Sequence, residues 1–580
     1  MKGNTLSEPS NTLPSSPAGM ARFFLLSILL VFIPLPFLLA LQYFGGSLRD
    51  CVPVFFAWLA LALVYWWPIG ALLFHWNRGW FSRFVVAYLV SLPLYFLCLL
   101  VNYPAFGARF HPRSGLFWGI YFAQTPTFFL QVLVLYFLTR RGRTLMRITS
   151  WLVYLGFAAG LLAPVVYSLG VDRYKWPEPS AQRVNIVGAR LVDISRNQIL
   201  EGKNVHVGNH HIVAIVDAAG DASDWPKVNA AGNFLLPGLI DVHVHLQSPL
   251  RSILGPFDFK FFLETLFADC APQRRAYLEN SVTSIRDDGG SAAHAYHLRA
   301  ALQRHALLGP RLFVVGRLVT SPHGHPVSTI WTPQLSRDGA ILASDSTSLI
   351  SGLEKNYAAG PPDAVKFIYG TIGIAKEKLR PDLLEEGIAW SKKRGLISVV
   401  HAETTDEVTE AARAGATGIE HVASMETLPD DLVHMLVERR SFVDPTFGEF
   451  DAALQLRNVN EADRTKLLQE KYKFIRRLNE AGVRLTVGTD SPLVPYGTGF
   501  NDELAQFSRA GFSSDEVLRF VTLNNAEYLG KADSLGQIAP GFLADLVLVR
   551  ENPLRNLATL RSPVWVMLDG QIVVREPHKN

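Results

Sequence analysis

Apolar residues are spaced in two different ways along this chain, and the change comes near residue 180. Before it they form unbroken stretches; after it they alternate with polar residues or gather in short blocks. Five unbroken stretches, at 23–42, 52–76, 84–103, 116–138 and 151–170, each approach the ~20 residues that span a hydrocarbon core of about 30 Å. Their interiors hold no Asp, Glu, Lys or Arg, as the cost of a charge in lipid requires. Each also holds a proline, which neighbouring helices of a bundle can accommodate. The expectation is an all-α bundle of about five transmembrane helices over 21–171, behind a disordered tail at 1–20 rich in Ser, Pro, Asn and Thr. The densest basic loop, Arg140, Arg141, Arg143 and Arg147, lies between the fourth and fifth stretches. The positive-inside rule puts it in the cytoplasm, which places the rest of the chain on the external, periplasmic side of an integral, multi-pass protein.

From residue 184 the rhythm is that of a water-facing domain. Val184 to Asp193 and Asn204 to Val216 alternate apolar with polar, as half-buried strands do, and Glu201-Gly202 turns between them. A matching β-rich piece closes the chain at Ala544 to Val549 and Val564 to Val574, with Asp569-Gly570 as a hairpin-type turn. One small β domain built from both flanks, 184–236 plus 535–575, is expected. Between them, over 237–534, short apolar runs alternate with helical segments, the pattern of a parallel sheet with crossover helices. The runs are Leu239–Leu246, Ser281–Arg286, Leu312–Leu318, Ala364–Tyr369, Leu396–His401, Gly418–His421, Phe442–Thr446 and Arg484–Thr489. Eight such units predict an α/β fold of the TIM (β/α)8 barrel type, whose sites lie at the carboxyl ends of the strands. Helix signals fit between the runs: Thr404-x-x-Glu407 and Ser513-x-x-Glu516 are capping boxes, and Gly415 ends the helix that the first opens.

Charge and cysteine content narrow the chemistry. A net charge of +4 with acids and bases nearly balanced offers no basic field for nucleic acid. The three cysteines, Cys51, Cys98 and Cys270, are too scattered for a disulfide framework or a thiolate metal site. Any metal is held by imidazole, carboxylate or something rarer.

The first barrel run ends in His243-x-His245, and alternate residues of a strand share a face, so the two imidazoles form a pincer for one ion. Later runs carry Lys366, His401, His421 and Asp490 at or near their ends, all aimed at one mouth of a barrel. Each alone reads as an ordinary strand-end polar residue. Together, in this order, they read as a site.

This pattern resembles the amidohydrolase superfamily, and looks most like its imidazolonepropionase-like and prolidase-like metal-dependent hydrolases. The blocks Pro237–His245, Ser284–Gly290, Val399–Glu403, Ile419–His421, Gly488–Ser491 and Leu535–Leu546 carry the resemblance, which covers roughly 184–575 and not the first third. It implies a two-metal site, with His243, His245 and Asp490 on one divalent ion, His401 and His421 on the other, and Lys366 bridging both as a carbamate. Zn2+ suits such ligands. A water activated by the metals would attack the carbonyl, with Asp490 as general base and then general acid. Tyr369 is expected to polarise the carbonyl, His323 and His325 to contact substrate, and Arg286 or Arg317 to pair a substrate carboxylate. The expected activity is that of a membrane-anchored hydrolase of a carbon–nitrogen bond, with an N-acyl amino acid or a dipeptide-like small-molecule amide as substrate. A cyclic amide or imide hydrolase is the alternative within enzymes, and a metal-free sensor or binding protein the alternative outside them.

Overall fold

The computed structural model describes residues 172–177 and 183–576, apart from 249, 257, 259, 262–263, 266–267, 332, 371–374, 376 and 425–428. The expected tail and the five apolar stretches lie outside these residues. The expectation of an integral, multi-pass membrane protein with an external catalytic part is corrected: among the described residues no helix is long and apolar enough to cross a membrane. The reason is visible in the 20-residue helix Glu461–Glu480, which is long enough but carries charge in every turn.

The two flanks of the chain build one sheet. Strands β1 (Arg183–Asp193), β2 (Gln198–Gly208), β3 (His211–Asp217), β4 (Lys227–Asn229) and β5 (Phe234–Pro237) come from the first flank, and β16 (Leu546–Val549), β17 (Trp565–Leu568) and β18 (Gln571–Arg575) from the second. The order is β18-β17-β16-β5-β1-β2-β3, with β4 against β1. The seam is the antiparallel pair β5–β16, in which Leu546 faces Pro237 and Val549 faces Phe234. Both strands are buried along their whole length, so neither shows the alternation of β1 and β2.

Between the flanks lies the barrel, made of β6 (Leu239–Val244), β7 (Val282–Asp287), β8 (Arg311–Val314), β9 (Leu318–Thr320), β11 (Ala364–Ile368), β12 (Ile397–Thr404), β13 (Gly418–Ser424), β14 (Phe442–Asp444) and β15 (Arg484–Leu485). Pairing is parallel from β6 through β8 and from β9 through β11 to β15. Short strand β10 (Ala340–Leu342) pairs with β9 outside the ring. The ring closes where Asp490 N donates to His243 O (2.8 Å) and Val242 N to Val487 O (3.3 Å). Opposite that seam, Asp363 N donates to Val314 O (2.8 Å).

The expected third run, Leu312–Leu318, is two strands rather than one. Gly316 sits between them at φ +65°, and a Cβ there would lie 2.1 Å from the Tyr296 hydroxyl oxygen. Only glycine fits that bend, and it lets β8 pair with β7 while β9 turns to β11. The expected capping boxes at Thr404 and Ser513 are present, with Gly415 in the left-handed region at the end of Thr405–Ala414.

Candidate active site

The carboxyl ends of the strands converge on a buried group of imidazoles and carboxylates. At the end of β6, His243 is buried and the His245 side chain one-third exposed. Asp490, just past β15, places Oδ1 3.1 Å from His245 Nε2 and 3.6 Å from His243 Nε2. Asp241 holds these two chain ends together by accepting from Thr489 Oγ1 (2.7 Å) and Thr489 N (3.1 Å). From β12 and β13, the His401 and His421 rings lie 4.0 Å apart, and His421 lies 5.0 Å from His243. Thr446 Oγ1 is 3.0 Å from His421 Nδ1, and Glu449 Oε2 is 3.5 Å from it.

Lys366 of β11 is buried in the same interior. Its ammonium contacts Glu420, and Asp288 Oδ2 lies 3.3 Å away. Arg286 completes a square of two cations and two anions: Nε donates to Asp288 Oδ1 (2.5 Å), and Nη2 to Asp288 Oδ2 (3.0 Å) and to Glu420. Glu420 Oε2 is also 3.4 Å from His243 Nδ1, which ties the square to the histidines. Burial lowers the Lys366 pKa, with Asp288 opposing, so the neutral amine is closer to reach than for a surface lysine. Burial, aided by neighbouring cations, holds His243 and His421 well below the usual imidazole value. They stand as neutral imidazoles. Burial also opposes charge on His245, but the adjacent Asp490 prevails and brings it up to about 9.

His243 Nδ1, His401 Nε2 and Asp490 Oδ1 are buried without a hydrogen-bond partner among the described residues. Unpaired buried polar atoms are costly, and a cation among them would satisfy them. Three sets of donor atoms lie within 4.8 Å of one another: His243, His245 and Asp490; His243, Glu420 and His421; His421, Glu449 and Asp490. The donor chemistry, imidazole with carboxylate, fits Zn2+ and related divalent ions.

Four side chains expected from sequence to contact substrate make other contacts or stand exposed. Tyr369 is buried on the far side of β11, where its hydroxyl donates to Glu410 Oε2 (2.7 Å), because three residues beyond Lys366 is the opposite face of a strand. His323 is exposed on its loop, whereas the His325 ring lies 6.1 Å from that of His401. Arg286 is spent inside the square, and Arg317 Nε donates to Asp338 O (2.9 Å). Conversely, Asp288, Glu420 and Glu449 enter the site with no role assigned from sequence. Glu420 and His421 are consecutive, and both reach the interior because His421 sits at φ +76°, which breaks the alternation of the strand.

A closed parallel barrel with imidazoles and carboxylates gathered at its carboxyl end has the form of a barrel enzyme with its site at that rim. Residues 234–573 match the amidohydrolase family, and the chain belongs to it: it is a hydrolase acting on carbon–nitrogen bonds. It is 26% identical over 399 residues to an adenine deaminase of Rhizobium etli, covering 67% of this chain and 56% of that protein. It is 24% identical over 418 residues to an imidazolonepropionase of Klebsiella pneumoniae, covering 67% of this chain and 97% of that one. The chain thus spans just over half the length of the first relative and nearly all of the second. A solved Xaa-Pro dipeptidase with bound methionine superposes with a TM-score of 0.59 at 22% identity, over 67% of this chain and 99% of that one. At that identity the likeness is one of fold.

Proposed function

We propose that the chain hydrolyses the amide bond of an N-acyl amino acid or dipeptide-like substrate. The observation that carries the reading is the set of buried, partnerless donor atoms on His243, His401 and Asp490. Divalent ions held by His243, His245 and Asp490 and by His401 and His421, with Lys366 as a carbamate between them, would polarise the scissile carbonyl and lower the pKa of an attacking water to near neutrality.

The protein's own groups do the rest. Asp490 takes the proton from the water as it adds to the carbonyl carbon, then gives it to the nitrogen as the C–N bond breaks, leaving a carboxylic acid and an amine, which then exchange a proton to give carboxylate and ammonium. His245 orients Asp490 between the strand ends. Glu420 Oε2 lies 3.4 Å from His243 Nδ1 without a hydrogen bond, and Nε2 is turned to Asp490. Arg286 balances the negative charge of Asp288 and Glu420, and would do the same for a carbamate on Lys366. The imidazolonepropionase likeness supports opening of a cyclic amide as the second reading.

The test is a panel of N-acyl amino acids, dipeptides and cyclic amides, assayed on protein of measured metal content. Asp490→Asn is expected to lower kcat by about a hundredfold or more, the scale of a lost general acid–base, with folding unchanged. Wild-type turnover in that variant overturns the proton-shuttle role, and a metal-free, inactive wild type overturns the reading itself.

A further inference from the structure

At the opposite end of the barrel strands is a cavity of about 570 Å³. It lies where the first residue of β8 and the residue preceding β11 meet the composite sheet, and it touches none of the residues of the candidate active site. Its volume falls within the range of about 300–1,000 Å³ typical of small-molecule sites. Leu312, Phe313, Leu535, Leu543 and Leu568 supply an apolar lining. The rim is polar and nitrogen-rich, with His210, His305, Arg311 and Lys531 beside Trp176.

What distinguishes this rim is which charges are already used. Of its acids, Asp569 is taken by Arg311 and by His305 Nε2 (3.0 Å), and Asp363 by Arg299 Nη1 (2.7 Å). Arg311 is in turn neutralised by Asp545 and Asp569. Lys531 alone among the charged groups lining the cavity has no side-chain hydrogen bond or ion pair among the described residues. The Trp176 and His305 rings pack 4.2 Å apart, tilted 41° to one another, and His210 stands edge-on to His305 at 5.7 Å. An unpaired ammonium over an apolar, partly aromatic lining suits a ligand with one negative end and a hydrocarbon or aromatic body.

We propose that this cavity binds a small organic carboxylate with an apolar body, its anionic end on Lys531 and its body against Leu312, Phe313 and Leu543. The site is separate from the amide-hydrolysis reading and stands without it.

The probe is 4-phenylbutyrate, titrated calorimetrically into the full-length protein, with 4-phenyl-1-butanol as its uncharged counterpart. Saturable binding is expected for the acid, weaker by roughly tenfold or more for the alcohol and for the acid with Lys531→Met, since an ionic hydrogen bond is lost in each. Leu543→Trp, which fills the half-buried wall, is expected to abolish binding. Asp490→Asn is expected to bind as wild type does, which separates this cavity from the active site. Absence of saturable binding, equal affinity in Lys531→Met, or loss of binding in Asp490→Asn each overturns the proposal. Should Leu543→Trp fail to fold, judged by circular dichroism, the lysine variant and the alcohol decide the question.

Discussion

Glu420→Gln is the most informative single change in this protein, because it removes one charge from a closed square and keeps its shape. In the native chain, Arg286 and Lys366 share the Glu420 and Asp288 carboxylates, and all four side chains are at most 2% exposed. In the metal-free chain, where Lys366 is an ammonium, glutamine at 420 leaves two buried cations facing one anion, and the new amide turns an N–H group toward one of them. Breaking a buried ion pair from one side costs about 3–5 kcal/mol, mostly the penalty of the charge left behind. Against a urea dependence of a few kcal/mol per molar for a protein of this size, the unfolding midpoint should fall by roughly 1 M. The same change removes the negative charge that lies 3.4 Å from His243 Nδ1, so metal affinity measured by competition with a chromophoric chelator should fall by about 10–100-fold. Adding Arg286→Met restores charge balance and should recover part of the stability, a coupling of roughly 0.5–3 kcal/mol. An unfolding midpoint and metal affinity both equal to wild type would refute the argument that Glu420 is the common partner of the cations and the histidine.

Other consequences are simpler to read. Lys366→Ala should lower metal occupancy, and added formate or acetate should restore part of the activity; unchanged occupancy counts against a carbamate at this position. Tyr369→Phe should leave kcat within about twofold, since its hydroxyl is spent on Glu410, and a large loss of kcat would put the phenol back in the chemistry. Lys471, 4% exposed and 4.5 Å from the Phe450 ring, has no hydrogen-bond partner among the described residues; burial lowers it from its ordinary 10.5 to about 8, against the pull of Glu449. The unfolded chain then binds more protons between about pH 8 and 10.5, so this residue makes stability rise with pH across that window. Lys471→Met should flatten that rise in thermal unfolding measured at several pH values, and an unaltered slope would show that Lys471 is not the source.

The barrel was legible because its strands are buried on both faces and read as apolar runs, with the polar strand ends standing out against them. Where one residue departs from strand geometry, legibility stops. Alternation assigns Glu420 and His421 to opposite faces, yet the left-handed backbone at His421 turns both inward. The same alternation, followed strictly, places Tyr369 behind the sheet, where its hydroxyl meets Glu410. His323 and His325 lie on a loop, which has no period from which to tell the exposed ring from the one beside His401. The break in the third run depends on the fit of Gly316 against Tyr296, a contact between residues 20 apart that no local pattern encodes.

These departures share a cause that links the fold to its chemistry. His421 lies within β13, Thr446 follows β14 and Asp490 follows β15, and all hold positive φ, at +76°, +41° and +54°. A side chain other than glycine pays for that conformation with about 1–3 kcal/mol, and for β-branched Thr446 it is an outlier that only its surroundings can hold. Here the surroundings are the site itself: Thr446 Oγ1 is bonded to the His421 ring, and Asp490 N to the carbonyl of His243. Three successive strands are therefore bent, β13 within its length and β14 and β15 just beyond their ends, so that their side chains converge instead of alternating. The convergence leaves buried donor atoms unpaired, and an arrangement that is costly in both backbone strain and unmet hydrogen bonds is one that a cation at its centre would relieve.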